Sequence, residues 1–155
     1  MSALDVGCGP GRLSIPMAIK VGPRGHVTAV DSQLGMLERA KERSVKARVT
    51  NIRFLQGEIG TGNLKLDRFD RTVLVTVLGE MQHPGDALRE IFAALKPGGL
   101  LAITEVIADP HFQDQRTVRE LASAAGFREK AVIGGRYSYS LYFMKPGEES
   151  GGGLN

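Results

Sequence analysis

The sequence predicts an α/β domain built on a doubly wound sheet, and three observations support this fold class. Short apolar segments alternate with amphipathic ones along the chain, as in a mostly parallel sheet with helices on both faces. The first apolar segment ends in a glycine-rich turn, Gly7-Cys-Gly-Pro-Gly11. A glycine or an acid also stands at the end of three later predicted strands. These residues are Asp31, Glu58 and Gly79. These residues therefore gather at the carboxyl edge of the sheet, where such folds bind their ligands.

Length and composition exclude several classes of protein. A chain of 155 residues suits one domain with its own core. The 20 basic and 17 acidic residues are interspersed, which favours an ordinary solvated surface over a nucleic-acid site. No apolar run approaches the roughly 18 residues that span a bilayer, and no signal peptide opens the chain. The single cysteine excludes an internal disulfide, fits a reducing cytoplasm, and argues against a thiol-bound metal. We therefore expect a cytoplasmic protein without a metal site, nucleic-acid partner or membrane partner.

The first predicted strand covers residues 3–6 and leads through the glycine-rich turn into a helix over residues 12–21. Glycine adopts positive φ without strain and has no Cβ, so a ligand can lie against the backbone there. The glycine spacing is G-x-G-x-G, and Arg12 stands where the dinucleotide fingerprint needs its third glycine. This departure counts against NAD and leaves another nucleoside ligand open. Cys8 is interpreted as a small filler inside the turn.

The second predicted strand covers residues 26–31 and ends in Asp31. A carboxylate at this position can accept hydrogen bonds from both hydroxyls of a ribose. The alternative is that Asp31 caps the next helix, a role that Ser32 could fill alone. The amphipathic pattern of residues 34–47 predicts that helix.

The remaining elements follow from apolar patterning and turn residues. A strand over 69–78 has a continuous apolar run, which is typical of a strand covered on both faces. A helix begins at Pro84 and ends at the turn Lys96-Pro-Gly-Gly99. The other predicted elements are a strand over 51–57, a loop over 60–66, a strand over 100–106, a helix over 117–125, and two strands over 129–133 and 137–144. The domain is predicted to cover residues 1–146, and residues 147–155 are expected to be a flexible tail.

Two motifs carry a family resemblance. The segment Asp5-Val-Gly-Cys-Gly-Pro-Gly11 resembles the cofactor loop of the class I S-adenosylmethionine (SAM) methyltransferases. The turn Leu95-Lys-Pro-Gly-Gly99 is frequent in the same family, between a helix and the fifth strand. The resemblance covers about residues 3–146. It implies a Rossmann-like methyltransferase fold, a mostly parallel seven-stranded sheet with an antiparallel last strand, and SAM as the cofactor.

The resemblance also implies a set of cofactor-binding residues. Met36 matches a position near the adenosine, although a methionine in a helix is also typical of a core. Glu58 stands where the family commonly has an aspartate that accepts from the adenine amino group, and Ile59 offers its backbone N–H and an apolar face. The full predicted set is Asp5, Gly7, Cys8, Gly9, Gly11, Asp31, Ser32, Met36, Glu58, Ile59 and Leu78.

Methyl transfer from SAM is an in-line displacement, for which the protein supplies mainly positioning. A base is needed only when the acceptor must lose a proton, and the candidates are His83, Glu80 and His111. Each could instead be an ordinary surface residue, so the catalytic group stays unassigned. The chain lacks the Asn/Asp-Pro-Pro-Tyr/Phe signature of many amino-group methylases. Residues 77–112 look more like methyltransferases of small molecules, including those of quinone biosynthesis.

Alternatives remain in two other classes. The chain could be a SAM-binding domain or fragment without useful turnover, or a nucleotide-dependent oxidoreductase, which Arg12 disfavours. Members of the family usually carry a helical segment before the glycine loop that covers the cofactor, and here the first strand follows Met1 almost at once. The hypothesis is that the chain as given binds SAM weakly and turns over slowly or not at all. Either a partner subunit covers the site, or the true product begins upstream of Met1; a homo-oligomer is the other form of partnership that the sequence leaves open.

Overall fold

The computed structural model describes residues 1–147, so the predicted tail from 148 onward lies outside the described residues. The strands are β1 (Ser2–Val6), β2 (His26–Asp31), β3 (Ile52–Gln56), β4 (Phe69–Val75), β5 (Leu95–Val106), β6 (Arg128–Gly134) and β7 (Ser138–Met144). The helices are α1 (Ser14–Val21), α2 (Leu34–Lys46), α3 (Pro84–Ala94) and α4 (Gln115–Ala124), with a 3-10 turn over Leu78–Glu80. None of the helices among residues 1–147 is long and apolar enough to cross a membrane.

The seven strands form one sheet in the order β3-β2-β1-β4-β5-β7-β6. Strands β1 to β5 are parallel, and β7 is inserted antiparallel between β5 and β6. This arrangement confirms the predicted fold class. Strand β1 is central, and all five of its residues are buried. The strand order reverses between β1 and β4, which places the ligand cleft of a doubly wound sheet at their carboxyl ends.

The two sheet faces are covered by different helices. Helices α1 and α2 pack on β1, β2 and β3, where Ala3, Ala18 and Val27 form a small buried cluster. Helices α3 and α4 pack on the other face, against β5, β6 and β7. The main core lies there and includes Leu74 and Ile91, both fully buried. The sheet thus holds the carboxyl ends of β1, β2 and β4 rigidly side by side.

Most element boundaries lie within two residues of the sequence prediction, and two larger differences have a clear physical reason. Strand β4 ends at Val75 rather than at residue 78, because Thr76 takes a positive φ of 54° and breaks the extended run. Strand β5 begins at Leu95, which pairs with Phe69, whereas Leu100 pairs with Arg71. The predicted turn over residues 96–99 is therefore an excursion within β5 and not a connection between a helix and a strand.

One face of β4, β5 and β7 is only partly covered within residues 1–147. It forms the floor of a groove of about 540 Å³ bordered by α1. Side chains on the floor include Val73, Ala102 and Tyr142, which are half-buried, while Val75 beside them is 40% exposed. The expectation that β4 is covered on both faces is therefore met on one face only among the described residues.

Candidate functional site

The glycine-rich turn leaves β1 and approaches the segment after β4. A Cβ on Gly7 would lie 2.6 Å from Cγ2 of Val77, so glycine permits this close approach. Gly9 has φ of +53° and would direct a Cβ into open space, with nothing within 4 Å. The turn therefore presents bare backbone to the cleft, as a ligand that lies against it requires.

Asp31 ties the end of β2 to this turn. Its Oδ2 accepts the backbone N–H of Gly9 at 2.9 Å, and its Oδ1 accepts that of Gln33 at 2.8 Å. Each carboxylate oxygen has two lone pairs. Both oxygens therefore keep an acceptor site for a ligand hydroxyl while they hold the turn. Asp31 is not the cap of α2, because Gln33 is the N-cap residue and that helix end has no side-chain cap hydrogen bond.

A cavity of about 380 Å³ lies at the carboxyl ends of β1, β2 and β4. Its volume falls in the range of small-molecule sites, roughly 300–1,000 Å³. Most of the predicted cofactor-binding residues line it, and so does one catalytic candidate. These residues are Gly7, Gly9, Asp31, Ser32, Met36, Glu58, Ile59 and Glu80.

The cavity is acidic. Asp31, Glu58 and Glu80 contribute carboxylates to its wall, and none of the described residues that line it is a lysine or arginine. Because three carboxylates share one cleft, the site favours a ligand with positive charge over a polyanion.

Four predicted cofactor residues lie outside the lining: Asp5, Cys8, Gly11 and Leu78. Gly11 packs on α2, where an added Cβ would meet Ala40 Cβ at 3.0 Å. Leu78 is 1% exposed and belongs to the main core, because the 3-10 turn directs its side chain inward. Their assignment to cofactor binding stays a prediction.

Asp5 and Cys8 form a buried layer below the turn. Asp5 is 3% exposed and accepts a hydrogen bond from the hydroxyl of Ser14 at 2.5 Å. Burial raises the pKa of Asp5 to about 6, the Ser14 hydrogen bond opposes this rise, and the charge of Asp31 adds to it. Burial first, and then the charges of Asp5 and Asp31, raise the pKa of the Cys8 thiol to about 12. Cys8 is therefore an unreactive packing residue.

Sequence reasoning missed part of the cavity wall. Val77 and Met81 line it on the side of β4, and Gln33 and Pro10 line it beside Asp31 and Gly9. All four flank residues that the sequence did single out. Their position next to those residues was the available signal.

The structure places the three catalytic candidates at different positions relative to the cavity. Glu80 lines the cavity, whereas His83 precedes α3 as an exposed residue and does not line it. His111 lies in the loop after β5, with its Nδ1 at 3.8 Å from Oε1 of Glu80 and 3.9 Å from Oδ1 of Asp109. The sequence could not show that His111 and Glu80 meet, because they follow different strands.

Comparisons with known proteins agree with this geometry. A family model described as a methyltransferase domain matches residues 1–140. A demethylmenaquinone methyltransferase of Listeria monocytogenes is 35% identical over 101 residues, which cover 65% of this chain and 43% of that protein. The match thus spans less than half the length of this curated relative.

Solved structures share the fold. A SAM-dependent methyltransferase from Aquifex aeolicus superposes with a TM-score of 0.85 at 26% identity, covering 94% of this chain and 82% of that one. A magnesium protoporphyrin IX methyltransferase from Synechocystis with bound SAM gives a TM-score of 0.74 at 20% identity, covering 92% and 69%. The second likeness supports the fold alone.

Proposed function

This chain belongs to the methyltransferase domain family, and we propose that it binds SAM and transfers the methyl group to a small-molecule acceptor. The observation that carries the proposal is the acidic cavity with bare glycine backbone at one side and Asp31 at the other. SAM is a nucleoside with a positively charged sulfonium and ammonium, and this cavity suits both features.

The residues present suit the nucleoside part of the methyl donor. Asp31 retains acceptor sites for the two ribose hydroxyls. Ile59 and Met36 supply apolar surface beside Glu58, which can accept from the adenine amino group. A dinucleotide would instead place its pyrophosphate against the acidic wall and would find no third glycine at position 12. The charge of the cavity therefore favours SAM over NAD.

The donor supplies an electrophilic methyl group, and the protein's own contribution is position and the removal of water. The glycine-rich turn and the ends of β1 and β2 hold the donor, and the acceptor is placed beside the segment that follows β4. This segment contributes Val77, Glu80 and Met81 to the cavity wall. Holding both reactants in line is the main source of rate in such a reaction.

The acceptor is proposed from the relatives. Several curated relatives are named demethylmenaquinone methyltransferases, and an electron-rich aromatic ring is a suitable nucleophile for an electrophilic methyl group. We therefore propose a reduced quinone-type ring as the acceptor. We also propose that the protein is located in the cytoplasm.

Calorimetry with SAM, S-adenosylhomocysteine and NADH tests the donor site. We expect the two sulfur nucleosides to bind and NADH not to bind. A second assay measures S-adenosylhomocysteine formed with demethylmenaquinol and with a mixed panel of small acceptors. Absence of SAM binding contradicts the proposal. SAM binding without turnover on any acceptor favours the alternative of a SAM-binding domain without useful activity.

A further inference from the structure

We propose that His111 is the proton acceptor of the reaction, held by Glu80 and Asp109, and that the methyl acceptor therefore carries an ionisable hydroxyl group. This inference rests on the proposed function, because it assumes that a methyl donor occupies the cavity beside Glu80. It goes further in naming a residue and a chemical class of acceptor.

The three side chains meet where two neighbouring strands end. Glu80 follows β4 and Asp109 and His111 follow β5, and the two strands are parallel neighbours. The polar atoms of the three side chains lie within 4.8 Å of one another. Since Glu80 also lines the cavity, the imidazole stands next to the part of the cavity wall beside which the acceptor is placed.

The loop that carries His111 is anchored against the turn that carries Glu80. An added Cβ on Gly79 would lie 1.9 Å from the carbonyl oxygen of His111, so the two backbones are in direct contact. The backbone N–H of His111 donates to Oδ1 of Asp109 at 2.8 Å. These contacts fix the backbone of His111 beside the turn that contributes Glu80 to the cavity wall.

The far side of the same loop is anchored to the sheet. Phe112 packs edge-to-face on Tyr139, with ring centroids 6.2 Å apart. The backbone N–H of Gln113 donates to Oε2 of Glu105 at 3.2 Å, and Tyr139 donates its hydroxyl to the carbonyl of Gln113. The loop is therefore held on both sides of His111.

His111 is better placed than the other two histidines. His26 begins β2 at the amino edge of the sheet, away from the cleft. Neither His83 nor His111 lines the cavity itself. The imidazole of His111, however, lies 3.8 Å from a lining residue, Glu80, whereas no described carboxylate pairs with His83. An imidazole titrates near neutral pH, whereas an ordinary carboxylate is a weak proton acceptor there.

The described polar side chains that face His111 are acidic. Its Nδ1 lies 3.8 Å from Oε1 of Glu80 and 3.9 Å from Oδ1 of Asp109. No described lysine or arginine makes an ion pair with either carboxylate.

In the proposed step, the hydroxyl proton of the acceptor moves to the imidazole of His111, and the oxygen or a ring carbon forms a bond to the methyl carbon. The bond between the methyl carbon and sulfur breaks, and sulfur keeps the electron pair. If a ring carbon is methylated, its own hydrogen then leaves as a proton to water and the ring oxygen regains a proton, which restores the aromatic hydroxyl. S-adenosylhomocysteine leaves as a neutral thioether, and the proton passes from His111 to water. No oxidant or metal ion is required.

The experiment uses 1,4-dihydroxynaphthalene as the acceptor under anaerobic conditions, with formation of S-adenosylhomocysteine as the readout. We expect His111→Ala to lower kcat/KM by about 100-fold or more, the usual range for the loss of a general base. Added imidazole should restore part of the rate, and Glu80→Gln should change the pH profile of kcat/KM. His26→Ala is the control, because His26 is an exposed residue at the amino edge of the sheet, opposite the cleft. This variant should behave like the parent protein with and without imidazole.

Several outcomes overturn the inference and leave the proposed function standing. One is an unchanged rate for His111→Ala. Another is failure of imidazole to restore any activity to His111→Ala, and a third is that imidazole restores the activity of His83→Ala instead. Loss of activity with EDTA and its recovery with Mn²⁺ would show that the three side chains bind a metal ion instead. SAM binding without any methylation of 1,4-dihydroxynaphthalene also overturns the assigned class of acceptor. Failure of the parent protein to bind SAM in calorimetry contradicts the proposed function itself.

Discussion

The carboxylate of Asp31 accepts the backbone N–H of Gly9 at 2.9 Å, so the acid at the end of β2 holds the glycine-rich turn that leaves β1. A residue predicted from sequence as a ligand for ribose thus also shapes the surface on which the donor lies. Its second oxygen is held by Gln33, which fixes the plane of the carboxylate before any ligand arrives. Such preorganisation lowers the entropic cost of binding.

We expect Asp31→Ala to weaken SAM binding by about 1.5–3 kcal/mol, because the variant loses hydrogen bonds to a charged group and frees the turn. Calorimetry measures the loss. Asp31→Asn is the matched control, since an amide keeps one oxygen acceptor, and its loss should be smaller. Equal affinity of Asp31→Ala and the parent protein for SAM would show that Asp31 does not bind the ribose.

Gly9→Val should abolish SAM binding, because its side chain would enter the open space that the backbone presents to the cavity. Gly22→Val is the control. Gly22 also has positive φ and open space around its Cβ position, but it lies beyond the end of α1 and does not line the cavity. Both variants carry backbone strain because φ is positive at each position, and Gly22, with ψ of −178°, lies in a region that is essentially restricted to glycine. Comparable SAM affinity in the two variants would argue against a donor site at Gly9.

Asp5 should make stability depend on pH. Its folded-state pKa of about 6 lies above the ordinary value of 3.8, so the folded state binds the proton more tightly than the unfolded state. Stability therefore falls as pH rises from about 4 to 6 and is constant above that window. Asp5→Asn removes this penalty and should be more stable than the parent at pH 7.5, by up to about 3 kcal/mol. Denaturant unfolding at pH 4.5 and 7.5 measures the difference, which should shrink at the lower pH.

Cys8 should resist thiol reagents in the folded protein. A rise of its pKa from 9.0 to about 12 lowers the fraction of thiolate about 1,000-fold at pH 8, and burial blocks access as well. Reaction with Ellman's reagent should be slow in buffer and fast in 6 M guanidinium chloride. A fast reaction of the folded protein would contradict the buried, filler role of this residue.

Gly79→Ala should separate the turn after β4 from the loop after β5, because the added Cβ overlaps the carbonyl oxygen of His111. We expect a loss of about 1–3 kcal/mol in the free energy of unfolding, the usual cost of overpacking. Gly135→Ala is the control, since its Cβ would meet nothing within 4 Å. Denaturant unfolding of both variants provides the comparison, and equal stability would mean that the two loops do not touch in solution.

The sequence predicted the features that depend on local chemistry. The glycine spacing, the acid that ends β2 and the alternation of apolar segments are all local, and the helices and strands they predict are present. Local signals were also available where a boundary was misplaced. Helix α4 starts at Gln115 because Asp114 caps it and accepts from the backbone N–H of Thr117 at 2.8 Å.

Features that depend on contacts between distant segments were not predictable from one sequence. Thr76 takes a positive φ of 54° where the chain turns after β4. No local residue pattern predicts that turn. The role of Gly79 depends on His111, a residue from the next loop. The meeting of His111 with Glu80 likewise follows from the order of the strands, which only the assembled sheet provides.

The half-covered face of β4, β5 and β7 has a thermodynamic consequence. Val73, Ala102, Tyr142 and their neighbours keep contact with water after the chain folds, so folding removes less apolar surface than a sheet covered on both faces would. Since the heat capacity of unfolding scales with newly exposed apolar surface, it should lie below the usual value of about 12–15 cal/mol/K per residue. Any molecule that seats on this face would raise both that heat capacity and the melting temperature. Scanning calorimetry would therefore detect a molecule bound to this face as a larger heat capacity change of unfolding, which makes the temperature dependence of the protein's stability more strongly curved.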